Sequence, residues 1–208
     1  MAISNYTELQ TAVANWLDRD DLTARIPEFI SLTEARFNRI LRIRAMETEA
    51  DQATVAGTRS YSLPTDYRQM RTVHLTTNPI TAMSYITPEI MDRIWAGSSQ
   101  GKPVSYTIKG NNIYVGPSPD AVYTIRFLYY KKVPALTSLA PTNSILTDAP
   151  DVYLYGCLLE AEPFLQNDAR VQLWATAFGE AVNNLQLQDD KDSHSGTELR
   201  VMNTGGYY

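Results

Sequence analysis

The hydrophobic positions of this chain repeat with a helical period near both ends and with a strand period in the middle. Residues 5–17 and the stretch that begins at Pro27 carry apolar side chains every three or four residues, as amphipathic helices do. The same spacing returns in two segments of residues 148–191, and Pro163 is expected to kink or end the first of them. The pattern therefore predicts a helical hairpin at each end of the chain.

The middle of the chain alternates polar and apolar residues, which is typical of half-buried strands. Residues 46–55 form the first alternating run, and residues 80–85 form a later one. Gly110-Asn111 separates two further runs and is a two-residue hairpin signal. Residues 134–150 are rich in Pro, Thr, Ser and Ala and predict a loop. We thus expect an α+β protein in which a mainly antiparallel β lobe is inserted into a helical bundle.

These elements divide the chain into four consecutive parts. Residues 1–45 supply the N-terminal helices of the bundle, and residues 46–133 form the inserted β lobe with one short helix. Residues 134–191 comprise the connecting loop and the C-terminal helices. The helical stripe is lost from Asp189 onward, and residues 192–208 are expected to form an extended C-terminal arm.

The arm contains more apolar and aromatic residues than a solubilising tail needs. It mixes serine and glycine with apolar and aromatic side chains, which are Leu199, Val201, Met202, Tyr207 and Tyr208. A disordered terminus and an arm that docks on another subunit both fit this composition.

Two rows of charged residues stand out among the predicted elements. The first is an acidic row on one face of the first strand, formed by Glu47, Glu49 and Asp51. Three like charges would not be buried together, so the row either faces solvent or, in a ring, lines a channel that DNA passes without sticking. The second is an arginine row on the second helix, formed by Arg36, Arg39 and Arg42.

The arginine row has two readings. It is either a solvated face that pairs with Glu28 and Glu34 of the same helix, or a contact surface for an acidic neighbouring subunit. The whole chain has a formal net charge of −5 and a pI of about 5.0, which argues against a protein that grips nucleic acid.

The residue types that carry chemistry are sparse. The chain has two histidines and one cysteine, Cys157, which is expected to be a small buried hydrophobe. Metal-ligand spacing, phosphate-binding glycine motifs and a nucleophile elbow are absent from the sequence. We therefore expect no catalytic residues, no metal and no cofactor. A signal peptide and an apolar run long enough for a membrane helix are also missing, so an intracellular protein without membrane contact is expected.

Several short motifs follow one another in an order that is informative. They are the Pro27 entry into an arginine-flanked helix, Leu63–Tyr67, Tyr106–Tyr114, Pro117–Pro119, Tyr129–Leu136, Tyr153–Ala161 and a final helix that contains Trp174. Taken together, this order resembles the head–tail adaptor proteins of short-tailed bacteriophages, which are also described as head-completion or tail-tubular proteins. The resemblance extends over nearly the whole chain.

The resemblance implies a structural virion protein of the neck or tail, assembled in the host cytoplasm. Such adaptors form a ring, usually of twelve copies, between the portal protein and the tail nozzle or tail tube, and DNA passes through the ring without specific binding. The resemblance places the portal-binding arm at residues 192–208 and the ring core in the helical bundle. Two alternatives remain: a cell-wall hydrolase built on a carboxylate pair, and another tail or baseplate component.

Overall fold

The computed structural model describes most of the chain as two compact units. The described residues are 3–97, 99–165 and 169–193. The first unit is formed by the described residues of Met1–Arg44 and Ala135–Tyr208, and the second by those of Ala45–Pro134. The first unit is helical and the second contains the β-strands, so the α+β prediction is confirmed.

The helices and strands of these residues follow the periodicities of the sequence closely. The helices are α1 (Tyr6–Leu17), α2 (Ile26–Ile40), α3 (Pro88–Ile94), α4 (Ser144–Asp148), α5 (Pro150–Glu160) and α6 (Arg170–Ser193). The strands are β1 (Glu47–Ala53), β2 (Ser60–Ser62), β3 (Tyr67–Leu75), β4 (Thr81–Ala82), β5 (Ser84–Tyr85), β6 (Ser105–Lys109), β7 (Asn112–Gly116) and β8 (Thr124–Lys131).

Local chemistry explains where the helices begin and end. The side chain of Asn5 caps α1 by accepting a hydrogen bond from the backbone N–H of Glu8 at 3.0 Å. Proline occupies the first turn of α2, where its missing N–H costs nothing. As expected from Pro163, α5 ends at Glu160, and a 3₁₀ turn over Glu162–Phe164 follows it.

The helical unit is built around α5, whose residues are buried on most sides. Helices α1, α2 and α6 each pack against it. The ring of Phe37 in α2 meets Tyr153 of α5 edge-on at 4.8 Å and stacks on Phe178 of α6 at 6.5 Å, measured between ring centroids. These aromatic contacts join the N-terminal and C-terminal helices in one core.

The β unit consists of two four-stranded sheets that share one core. One sheet has the order β1-β8-β3-β4 and the other has the order β2-β7-β6-β5. Val73, Ile113 and Phe127 are among the buried residues that both sheets contribute to this core. Nearly all the strand pairs are antiparallel, and β5 with β6 is the parallel exception among the named strands.

Three expectations from the sequence are corrected. Residues 80–85 form two short strands rather than one, because Met83 is buried between β4 on one sheet and β5 on the other. The expected loop over 134–150 contains α4, which Asn143 caps by accepting a hydrogen bond from Leu146 N–H at 2.9 Å. The last helix does not end at Lys191 but continues to Ser193, two residues into the expected arm.

Candidate functional site

The acidic row lies on β1, the edge strand of its sheet. Ala50 of this strand packs against the shared core, so Glu47, Glu49 and Asp51 extend from the opposite face of the sheet. In the register of β1 with the neighbouring strand β8, Asp51 stands opposite Arg126. The predicted strand and the shared face of the three carboxylates are therefore present in the structure.

Two arginines from neighbouring strands contact this row, and the sequence did not reveal them. Arg126 of β8 binds Asp51 through two hydrogen bonds of 2.7 and 2.8 Å, and its guanidinium lies 3.7 Å from Glu49. Arg71 of β3 forms an ion pair with Glu47. Three carboxylates thus meet two guanidinium groups, which leaves one net negative charge among these five side chains.

The hydrogen bond from Arg126 dominates the electrostatics of this face. It holds the pKa of Asp51 below the ordinary aspartate value, and Asp51 in turn raises the pKa of the guanidinium. Both side chains are more than one-third exposed, so solvent screens the pair. The face is a ladder of paired charges rather than an uncompensated acidic band.

The arginine row on α2 divides into members with different surroundings. Arg36 forms an ion pair with Glu160 of α5 at 2.6 Å and lies 5.7 Å from the centre of the Phe178 ring. Arg42 donates to the backbone carbonyl of Leu41 and, at 3.3 Å, to that of Asn38. Arg39 is exposed and forms no ion pair with the described residues of the chain.

The expected pairing of Arg36 with Glu28 or Glu34 is wrong. Glu28 pairs with Arg25 at 3.4 Å. Glu34 is buried, and its Oε1 accepts hydrogen bonds from the backbone N–H of Leu136 at 2.7 Å and the hydroxyl of Tyr153 at 3.4 Å. Through the hydrogen bond from Leu136, Glu34 therefore holds the segment that precedes α4 against the core.

Burial raises the pKa of two groups in this core, Glu34 and Cys157. Desolvation raises the pKa of Glu34, while the hydrogen bonds from Leu136 and Tyr153 oppose the shift. Cys157, as expected, is a buried free thiol, and desolvation raises its pKa to about 12. A thiol that holds its proton so firmly is a poor nucleophile and behaves as a packing group.

The proposed arm residues Leu199, Val201, Met202, Tyr207 and Tyr208 lie outside the described residues. The structure does show how the helix that leads to them is held. Arg44 contacts Asp189 and Asp192 in the last turns of α6, and its Nη1 donates to the Asp192 carbonyl at 2.9 Å. A cation at a helix C-terminus also interacts favourably with the helix dipole.

The described residues contain neither a candidate metal site nor a helix that could span a membrane. They contain no group of three or more histidine, cysteine, aspartate or glutamate side chains that could hold a metal ion. None of the helices among them is both long and apolar enough to cross a membrane. The features that distinguish this molecule are charged and exposed helix and sheet faces, which are suited to contacts between proteins.

Comparison with known proteins agrees with that description. The model of the family described as "SU10 adaptor protein" matches residues 4–202 of the chain. The match includes both the helical unit and the β unit. A search of curated proteins finds no match.

Proposed function

Because the chain belongs to the SU10 adaptor protein family, we propose that it forms a ring that joins the portal to the tail and surrounds the DNA exit path. Membership of this family confirms the resemblance to phage head–tail adaptors and makes the protein a structural component of the virion. The observation that supports the proposal most strongly is the extent of the match, which covers residues 4–202. On this proposal the ring contains twelve copies, is assembled in the host cytoplasm and has no enzymatic role.

The portal side of the ring is assigned to the C-terminal segment, residues 192–208. The anchored end of α6 supports this assignment, because Arg44 fixes the point from which the segment leaves the helical unit. A segment whose first residues are already held in place loses less conformational entropy on binding than a segment that is free at both ends. The tail nozzle or tail tube then binds the opposite side of the ring.

The DNA-facing surface is assigned to the sheet face that carries Glu47, Glu49 and Asp51. What supports this assignment is the one net negative charge of the three carboxylates and two arginines, and the exposure of Glu49, which keeps 57% of its side-chain surface. Local pairing with arginines makes the face only weakly repulsive to phosphates. Such a surface lets DNA slide past without the tight contacts that a basic channel would make.

The test is the mass of the protein in solution by light scattering, alone and then mixed with purified portal rings. The proposal expects complexes that contain about twelve copies of this chain for each portal ring. A truncated chain ending at Ser193 is expected to keep its circular dichroism spectrum and lose portal binding. A full-length chain that stays monomeric at all concentrations and ignores the portal would contradict the adaptor function.

The surface charge is tested separately in assembled particles. Glu49→Lys reverses the most exposed carboxylate of the row and is expected to slow DNA ejection, with the slowing reduced by added salt. Glu162→Lys, an exposed acid on the turn after α5, is the matched control. Equal ejection rates for the wild type and both variants would remove the DNA-facing assignment without affecting the ring.

A further inference from the structure

We propose that, in the ring, the outer face of α6 in one copy docks on the outer face of α2 in the next copy, with Glu180 opposite Arg39. This inference rests on the ring of the proposed function and names the surfaces that close it. Two exposed helix faces support the inference, together with a charge on each face that has no ion-pair partner among the described residues.

The outer face of α2 carries an apolar residue and a cation on one line. Leu32 is 50% exposed, and Ala35 and Arg39 are exposed beside it. The buried residues of α2, which include Phe29, Thr33 and Phe37, lie on the other side of the helix. Arg39 lacks an ion-pair partner within the described residues, unlike Arg36 on the adjacent side.

The outer face of α6 has the complementary composition. Leu173 is 68% exposed and Leu187 is 48% exposed, and Glu180 lies midway between them. The buried side of this helix, which includes Trp174 and Phe178, packs in the helical unit. Glu180 is exposed and forms no ion pair with residues that the structure describes.

The spacing of the two faces matches. Leu32 and Arg39 are seven residues apart, and so are Leu173 and Glu180, or Glu180 and Leu187. Seven residues span about 10.5 Å of helix and return almost to the same side. If Arg39 lies opposite Glu180, Leu32 therefore lies opposite a leucine of α6 whether the helices run parallel or antiparallel. The apolar contact and the ion pair can form together in either orientation.

Contact between two different faces has a consequence for assembly. A heterologous interface leaves each copy with one face free until the last copy closes a ring, whereas a face that pairs with itself stops at a dimer. The α2 and α6 faces both belong to the helical unit, which was assigned to the ring core. The proposed contact is thus able to generate a ring from identical subunits.

Charge reversal identifies the pair. Arg39→Glu and Glu180→Arg should each weaken self-association at least about tenfold, and the double variant should recover to within about threefold of the wild type. Arg93→Glu, on α3, and Glu162→Arg, on the turn after α5, are matched controls at exposed sites on other elements. If the single variants assemble normally on portal rings, the interface is wrong while the adaptor function stands. A wild-type chain that fails to assemble on portals would overturn both.

Cross-linking distinguishes a second copy from other occupants of these faces. Arg39→Cys and Glu180→Cys chains, mixed under oxidising conditions, should give a covalent dimer that neither variant gives alone. The buried native Cys157 is not expected to compete. Cross-links only between Arg39→Cys chains would indicate a self-pairing face, and cross-links only to portal would indicate a portal contact. Either result would overturn the proposal.

Discussion

Arg44 and Asp189 bind each other although they are separated by most of the chain. The backbone N–H of Arg44 donates to both carboxylate oxygens of Asp189 at 3.1 Å, and Nε donates to Oδ1 at 3.3 Å. The guanidinium also reaches the Asp192 carbonyl at 2.9 Å. The connection after α2 therefore holds the final turns of α6, from which the proposed arm continues.

Substitution of this arginine should loosen the end of α6 alone. In Arg44→Ala the backbone hydrogen bonds remain and the guanidinium contacts are lost, so we expect faster amide hydrogen exchange near residue 190. The global free energy of unfolding should change by less than about 1 kcal/mol, because the ion pair is partly exposed. Arg25→Ala, which breaks a local pair with Glu28, is the control. Unchanged exchange near residue 190 would show that the contact does not hold the helix.

The periodicity of the sequence predicts the α+β arrangement and most of the helices and strands, but it does not predict α4 or the division of residues 80–85 into two strands. It could not predict which strands pair, because alternation fixes the face of a residue and not its neighbour. Asp51 meets Arg126 only because β1 and β8 are adjacent, and 75 residues separate the two side chains in the chain. The sequence likewise does not show which distant residue a side chain contacts. Glu34 is therefore expected to pair with the arginine row, although in the structure it is buried and binds Leu136. Its position four residues after Ile30 and three before Phe37, on the apolar side of α2, is the available signal.

Glu34 should make stability depend on pH. Its pKa is raised in the folded protein, so the folded state keeps the proton to higher pH than the unfolded chain does. The free energy of unfolding should therefore fall as pH rises from the ordinary glutamate pKa through the raised value. Glu34→Gln keeps an oxygen acceptor for Leu136 and Tyr153 and removes the titrating proton. Urea unfolding across this pH range should show a flatter profile for Glu34→Gln.

Removal of the acceptor should have a larger effect than removal of the charge. Glu34→Ala leaves the backbone N–H of Leu136 without its partner and opens a cavity, so we expect a loss of about 1–3 kcal/mol at neutral pH. Glu34→Gln should lose less. If the two variants are equally destabilised, the carboxylate charge rather than the tether to Leu136 determines stability.

The Asp51–Arg126 pair should depend on both salt and pH. The pKa of Asp51 is lowered in the folded state, so its contribution to stability is present above the ordinary aspartate pKa and lost as pH falls through the lowered value. A double-mutant cycle with Asp51→Asn and Arg126→Gln should give a favourable coupling at neutral pH that shrinks with added salt. Coupling that persists in high salt would indicate a contribution from geometry rather than charge.

Cys157 should react with thiol reagents only when the protein unfolds. The thiol is fully buried, and Thr33 donates a hydrogen bond to its sulfur at 3.7 Å. Burial raises its pKa to about 12, so very little thiolate forms near neutral pH. We expect slow maleimide labelling in buffer and fast labelling in denaturing urea. Rapid labelling of the native chain would show that the core around α5 opens readily.

Gly156 is required for the contact between α2 and α5. A Cβ at this position would lie 2.5 Å from Cγ2 of Thr33, which is too close for carbon atoms without a shift of the helices. Gly156→Ala is therefore expected to destabilise the protein by about 1–3 kcal/mol. Adding Thr33→Ser removes the obstructing methyl group, keeps the hydroxyl, and should recover part of the loss in urea unfolding. Gly179→Ala, on an open face of α6, is the matched control and should not destabilise. Equal effects at the two glycines would show that packing against Thr33 does not determine the effect at Gly156.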